Sequence, residues 1–139
     1  MSAPSTHNYD AFAVSAPGLE PLAVAELRSL GVSKITEEVG GVSFTCDAAG
    51  LARTQLSLRT VSRVLVRLAT FNAASFATLE KEARKIEWAR VISPDGVVRT
   101  RVTCKKSKLY HSDAVDERIE KAIERAVKGV RFDHAKDLE

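Results

Sequence analysis

Two cysteines, three histidines and one methionine are all the sulfur and imidazole side chains this 139-residue chain has. Cys46 and Cys104 stand far apart, each in an alternating apolar segment. They read as buried free thiols, and nothing in them calls for an oxidising compartment. His7, His111 and His134 are scattered and have no metal-ligand spacing, alone or with the cysteines. No Ser-His-Asp or Cys-His arrangement has the local context of a nucleophile. The carboxylate pair Glu37-Glu38 lies on a hairpin strand, too exposed for acid–base work. No apolar run approaches the ~20 residues of a membrane-spanning helix. The opening Met1 to Asn8 is polar, without the apolar stretch of a signal peptide. These absences predict a floppy tail over residues 1–9, no membrane association and a cytoplasmic protein.

Charge is present, and it is unevenly placed. Residues 1–50 hold two basic and six acidic side chains, residues 51–110 thirteen and four, and residues 111–139 six and eight. A basic middle between two acidic ends suggests a surface for a polyanion, unless folding intermingles the three parts. The charge peaks in Lys105-Lys106-Ser107-Lys108-Leu109-Tyr110-His111-Ser112, with no acidic residue between Val97 and Ser112. This stretch joins an alternating segment to an amphipathic one. At a strand-to-helix joint, backbone N–H groups point outward and the helix start carries partial positive charge, so lysines there make a place for phosphate. A basic solvated loop is the plainer alternative.

Periodicity orders the first half. Ala11–Ala16 reads as a short strand. Pro17-Gly18 turns the chain, and Leu19, Leu22, Ala23, Leu27 and Leu30 recur at helical spacing before Gly31, a C-terminal cap. Ile35, Glu37 and Val39 alternate, Gly40-Gly41 signals a hairpin, and Val42, Phe44 and Cys46 line the return strand. Asp47 caps a second helix, and Val61–Phe71 alternates as a fourth strand. The β-α-β-β-α-β order is that of the ferredoxin-like fold, which hosts many functions and names none.

A second unit starts near Ala73. Ser75 or Thr78 opens a helix towards Ile92, and Ser93-Pro94-Asp95-Gly96 is a turn. From Val97 to Cys104 a strand puts Val98, Thr100, Val102 and Cys104 on one face and Arg99, Arg101 and Thr103 on the other. Ser112 or Asp113 then caps a helix to Val130. No strand is legible after Val130. A lone strand cannot satisfy its backbone, so the chain reads as stopping partway through a second domain, with an edge open to self-association.

Several blocks carry a resemblance. Phe12 to Leu22 with Glu26-Leu27 and Leu30-Gly31, Gly40 to Phe44, and Leu56 to Leu65 resemble the opening of a family of bacterial RNA methyltransferases. That family acts on guanine N2 of large-subunit ribosomal RNA. Ile86-Glu87-Trp88, Ser107 to Ser112, Ala114-Val115 and Glu117-Arg118 resemble the THUMP domain that follows it. The match covers roughly residues 11–128, in order. It implies an α+β chain: a ferredoxin-like domain over 10–72, then a partial THUMP RNA-binding domain over 73–139. It also implies a C-terminal methyltransferase domain using S-adenosylmethionine. The chain has no glycine-rich loop after a strand and no Asn/Asp-Pro-Pro-aromatic block, so no cofactor is expected within it.

The expected reading is therefore an RNA-binding part of an rRNA guanine-N2 methyltransferase. A tRNA-modifying THUMP enzyme is the alternative partner class, and a ferredoxin-like protein-interaction module the alternative outside RNA. Lys105, Lys106 and Lys108 are nominated as point charges against phosphate. Tyr110 is nominated to stack on an unpaired base, or else to pack over the helix start. Arg99 and Arg101 share one strand face and are basic surface if nothing covers it. Arg59 and Arg63 are read as structural, Arg118 as paired with Glu117 or Asp113, and Trp88 as core.

Overall fold

The computed structural model describes residues 7–109 and 111–134, which fall into two compact units, Met1–Leu68 and Ala69–Glu139.

The first unit runs β1 (Tyr9–Ser15), α1 (Glu20–Ser29), β2 (Ser33–Glu38), β3 (Gly41–Cys46), α2 (Ala48–Ser57), β4 (Val61–Arg67). The sheet order is β2-β3-β1-β4, and every neighbour is antiparallel. β1 and β2 therefore run in the same direction with β3 between them, the split arrangement of a ferredoxin-like fold. In register, Ala13 faces Val42 on one side and Val64 on the other, and Ala11 faces Phe44 and Val66. These residues form one face of the sheet. Ala23 and Leu27 of α1 and Leu51 of α2 close over it. Alanines in the central strand leave room for Phe44 and Leu27, both essentially fully buried.

The hairpin turns on Val39-Gly40, with Gly40 at φ +85°, one residue earlier than the Gly40-Gly41 pair suggested. Gly41 already belongs to β3. A Cβ there would collide with the Ala13 carbonyl oxygen, so close approach to β1 is what requires that glycine. Asp47 caps α2 as expected, accepting the Gly50 N–H at 2.7 Å. Glu26 of α1 accepts the Arg59 N–H at 3.0 Å and the Thr60 hydroxyl at 3.1 Å, fastening the α2–β4 connection. Arg59 thus makes this structural link through its main chain. β4 ends at Arg67, short of the expected Phe71.

The second unit runs α3 (Phe76–Arg84), a 3-10 turn (Trp88–Arg90), β5 (Val97–Val98), α4 (Ser112–Ala126), β6 (Arg131–Phe132). The helix expected to reach Ile92 stops at Arg84. Trp88 folds back into the core, and its Nε1 donates to the Ala83 carbonyl at 3.0 Å, taking an acceptor that a continued helix would use. Trp88 packs with Ile123 and Val127 of the α4 end, joined by Ile86, Ile92 and Phe132.

Two expectations are corrected here. A strand does follow Val130: β6 pairs in parallel with β5, Val97 opposite Arg131 and Val98 opposite Phe132. β5 is accordingly not a lone strand, and two residues are too few for any alternation to be read. The expected strand to Cys104 is paired only as far as Val98, although exposure still alternates along residues 97–104. α4 begins at Ser112 with His111 in the capping position and no side-chain cap bond. It ends at Ala126, where Val127 turns extended. Among the described residues, no helix is long and apolar enough to cross a membrane.

Candidate nucleic-acid interface

The basic segment is built outward from β5. The Asp133 N–H donates to the Val98 carbonyl at 2.9 Å, and the Arg99 guanidinium meets the Asp133 carboxylate at 2.6 Å. Thr100 donates its hydroxyl to Glu120 of α4 at 3.1 Å. Val98, Thr100, Val102 and Cys104 are half-buried, while Arg99, Arg101 and Thr103 are exposed, the two faces the alternation predicted.

The chain then leaves the core for four exposed residues, Lys105 to Lys108, and returns at Leu109, which is buried. Lys106 sits at φ +46°, in the left-handed region that a tight reversal requires. Ser107 Oγ accepts the Leu109 N–H at 3.1 Å and stiffens the return. Three ammonium groups are thus held at the surface between two anchored ends. No ion pair among the described residues involves Lys105, Lys106 or Lys108.

This loop walls an open cleft of about 470 Å³ that lies wholly within the second unit. Lys105, Lys106 and Ser107 line it together with Phe71 and Asn72, with Val102, Leu109 and Val115 among the apolar residues. No carboxylate of the described residues lines it. Such a cleft can take a ligand that is anionic at one point and flat and apolar at another.

Of the nominated residues, the structure brings Lys105 and Lys106 to the cleft and places Lys108 on the same loop. Arg99 is engaged with Asp133, and Arg101 is exposed on the same side of the segment. Tyr110 lies outside the described residues. Arg118 is not paired as expected: it lies 4.0 Å over the Phe76 ring and 3.1 Å from Glu80, tying α4 to α3. Phe71 and Asn72 were missed, because Phe71 reads as the last alternating residue of a strand that in fact stops at Arg67. No cluster of three metal-binding side chains occurs among the described residues. Burial, reinforced by the Asp47 charge, pushes the Cys46 thiol up, away from the thiolate form.

The fold and cleft together define a class: a ferredoxin-like domain followed in the chain by an α/β unit with an exposed, lysine-bearing loop. Residues 10–65 match the RlmL ferredoxin-like domain. A Synechocystis sp. protein named "Putative RNA methyltransferase" is 36% identical over 112 residues, which are 81% of this chain and 29% of that protein. The "Ribosomal RNA large subunit methyltransferase K/L" of Methylococcus capsulatus is 31% identical over 82% of this chain and 15% of its own length. A crystal structure described as "a putative methyltransferase complexed with SAH" superposes with a TM-score of 0.79 at 25% identity, over 86% of this chain and 32% of that one. The chain therefore spans less than a third of each of these relatives.

That complex with SAH raises the question of whether S-adenosylmethionine fits here. The described residues do not fit it. The donor carries a sulfonium and an ammonium against a single carboxylate, a net positive ligand for which the lysine-walled cleft offers no carboxylate among the described residues. At the first strand-to-helix joint, the Gly18 N–H already donates to Glu20 at 2.7 Å, as does the Gly40 N–H of the β2–β3 hairpin at 3.2 Å. At the second, Asp47 occupies the Gly50 N–H.

Proposed function

We propose that this chain is the RNA-holding part of an S-adenosylmethionine-dependent rRNA guanine-N2 methyltransferase of the cytoplasm. The methyl donor and the chemistry belong to the remainder of the protein. The observation that carries the reading is the lysine loop, three ammonium groups that have no ion-pair partner among the described residues, beside a cleft that no described carboxylate lines. The names of the relatives supply the substrate class.

In this reading the second unit is a partial THUMP domain, and Lys105, Lys106 and Lys108 hold RNA by its phosphates and release counterions as they do so. Arg101 and the Arg99–Asp133 pair extend the basic side of the segment. Recognition is by shape and charge more than by sequence, since the major groove of an RNA helix is too narrow to read. The ferredoxin-like domain serves as a rigid mount.

Binding of this chain to a large-subunit rRNA hairpin and to a tRNA across a salt series tests the proposal. The expected result is steeply salt-dependent binding with preference for the rRNA hairpin. Preference for tRNA would move the chain to the tRNA-modifying class, and no binding to either at low salt would remove RNA from the account.

A further inference from the structure

We infer that the open face of the first unit's sheet docks a second copy of this chain, joined through reciprocal Arg63–Glu38 contacts about a two-fold axis. The inference stands apart from the RNA-holding reading and concerns a surface that reading leaves unused.

Alternation decides what the face carries. Helices α1 and α2 close over the side of the sheet that bears Ala13, Val42 and Phe44, so the other side bears the intervening residues. Register lines these up in rows across β2, β3, β1 and β4. One row is Glu38, Gly41, Val14 and Arg63, and the next is Thr36, Ser43, Phe12 and Leu65. Phe12, Val14 and Leu65 make an apolar centre that is no part of the core, and Leu65 is 43% exposed. The Phe12 ring leans over Gly41, its Cζ 2.7 Å from where a Cβ on Gly41 would sit, which keeps this centre flat. A flat apolar centre suits a second sheet packed face to face at about 10 Å.

Charge selects the occupant. Arg63 lies on one edge strand and Glu38 on the other, and neither has an ion-pair partner among the described residues. The Ser43 hydroxyl donates to Glu38 and holds it on this face. The two halves of an ion pair thus stand at opposite ends of one row. A second copy turned about an axis parallel to the strands, between β1 and β3, lays its Glu38 on Arg63 and its Arg63 on Glu38. An axis across the strands would lay Arg63 on Arg67 instead, and like charges repel. Area sets the strength. Four strands about 4.8 Å apart and about six residues long make a face of roughly 400 Å², so the pair buries about 800 Å². Stable complexes bury roughly 1,200 Å² or more, so this dimer is weak and forms at high concentration.

Sedimentation equilibrium of the nucleic-acid-free chain over a concentration series tests this. The mass is expected to rise from monomer towards dimer, and added salt to move the transition to higher concentration. Arg63→Glu and Glu38→Arg are each expected to weaken self-association by at least about tenfold with unchanged circular dichroism, since each creates two like-charge contacts. An equimolar mixture of the two variants is expected to recover the association of the parent, because both contacts of the mixed dimer are again of opposite sign. A chain that stays monomeric throughout, or a mixture of the folded variants that associates no better than either alone, would overturn the inference. So would a dimer that survives both substitutions, which would place self-association on another surface.

Discussion

The two units use their charges in opposite ways. Met1–Leu68 holds six basic and six acidic side chains, and its carboxylates finish its own backbone: Glu20 takes two turn N–H groups, Asp47 caps α2, and Glu26 fastens the α2–β4 connection. Ala69–Glu139 holds fifteen basic and twelve acidic, with five basic and no acidic residues between Val97 and Ser112. There no described residue supplies a carboxylate to the three loop lysines. Positive charge that a fold leaves unneutralised is available to a partner, while N–H groups already bonded within the fold are not. The first unit accordingly spends its carboxylates on itself, and the second leaves its loop lysines without one among the described residues.

The largest expected effect tests the mount. Phe44→Ala empties a nearly fully enclosed position between the sheet and its helices, and should cost about 3–5 kcal/mol. Amide exchange in β1 and β3 should report the loss, while Trp88 fluorescence, which sits in the second unit, should keep its denaturant midpoint. Equal shifts in both probes would break the division into separately stable units. Next comes the contact surface. Replacing Lys105, Lys106 and Lys108 together by Ala should lower the slope of log affinity against log salt by up to about three. Replacing Arg63 and Arg67 of β4 should change it less, and the reverse ranking would put the polyanion on the first unit. Asp47→Ala removes the α2 cap and should cost about 1 kcal/mol in thermal stability, without altering the RNA salt slope.

What the sequence made legible follows the same division. The first unit's order, its helix cap at Asp47 and the core face through Ala13, Val42 and Phe44 could be read because alternation and helical spacing persist over six or more residues there. In the second unit the ladder is two residues long, and β6 has no pattern to read. Helix α3 looked longer than it is because Ile86 and Trp88 continue an apolar spacing, yet Trp88 reaches the core by ending the helix. The lysines were visible as charge. Phe71 and Asn72 were not, since nothing local marks a residue that becomes a cleft wall only when a loop some thirty positions later folds beside it.

The smallest effect is the sharpest test of the carboxylate half of the comparison. Backbone N–H groups hold the Glu20 carboxyl below its ordinary value, its own first and that of Gly40 next, with burial opposing. A carboxyl whose pKa is lower folded than unfolded adds stability above its unfolded pKa, and this is lost as pH falls through the folded one. Glu20→Gln should therefore be less stable than the parent near neutral pH, and the gap should narrow on acidification through the carboxylate range. The group faces solvent, so the gap should be modest and should shrink in salt. A gap that stays constant with pH would mean that Glu20 fastens the joint by shape alone. The first unit's N–H groups would then be bonded without being electrostatically satisfied, and the line between a self-neutralised mount and a charged contact surface would have to be drawn from the lysines only.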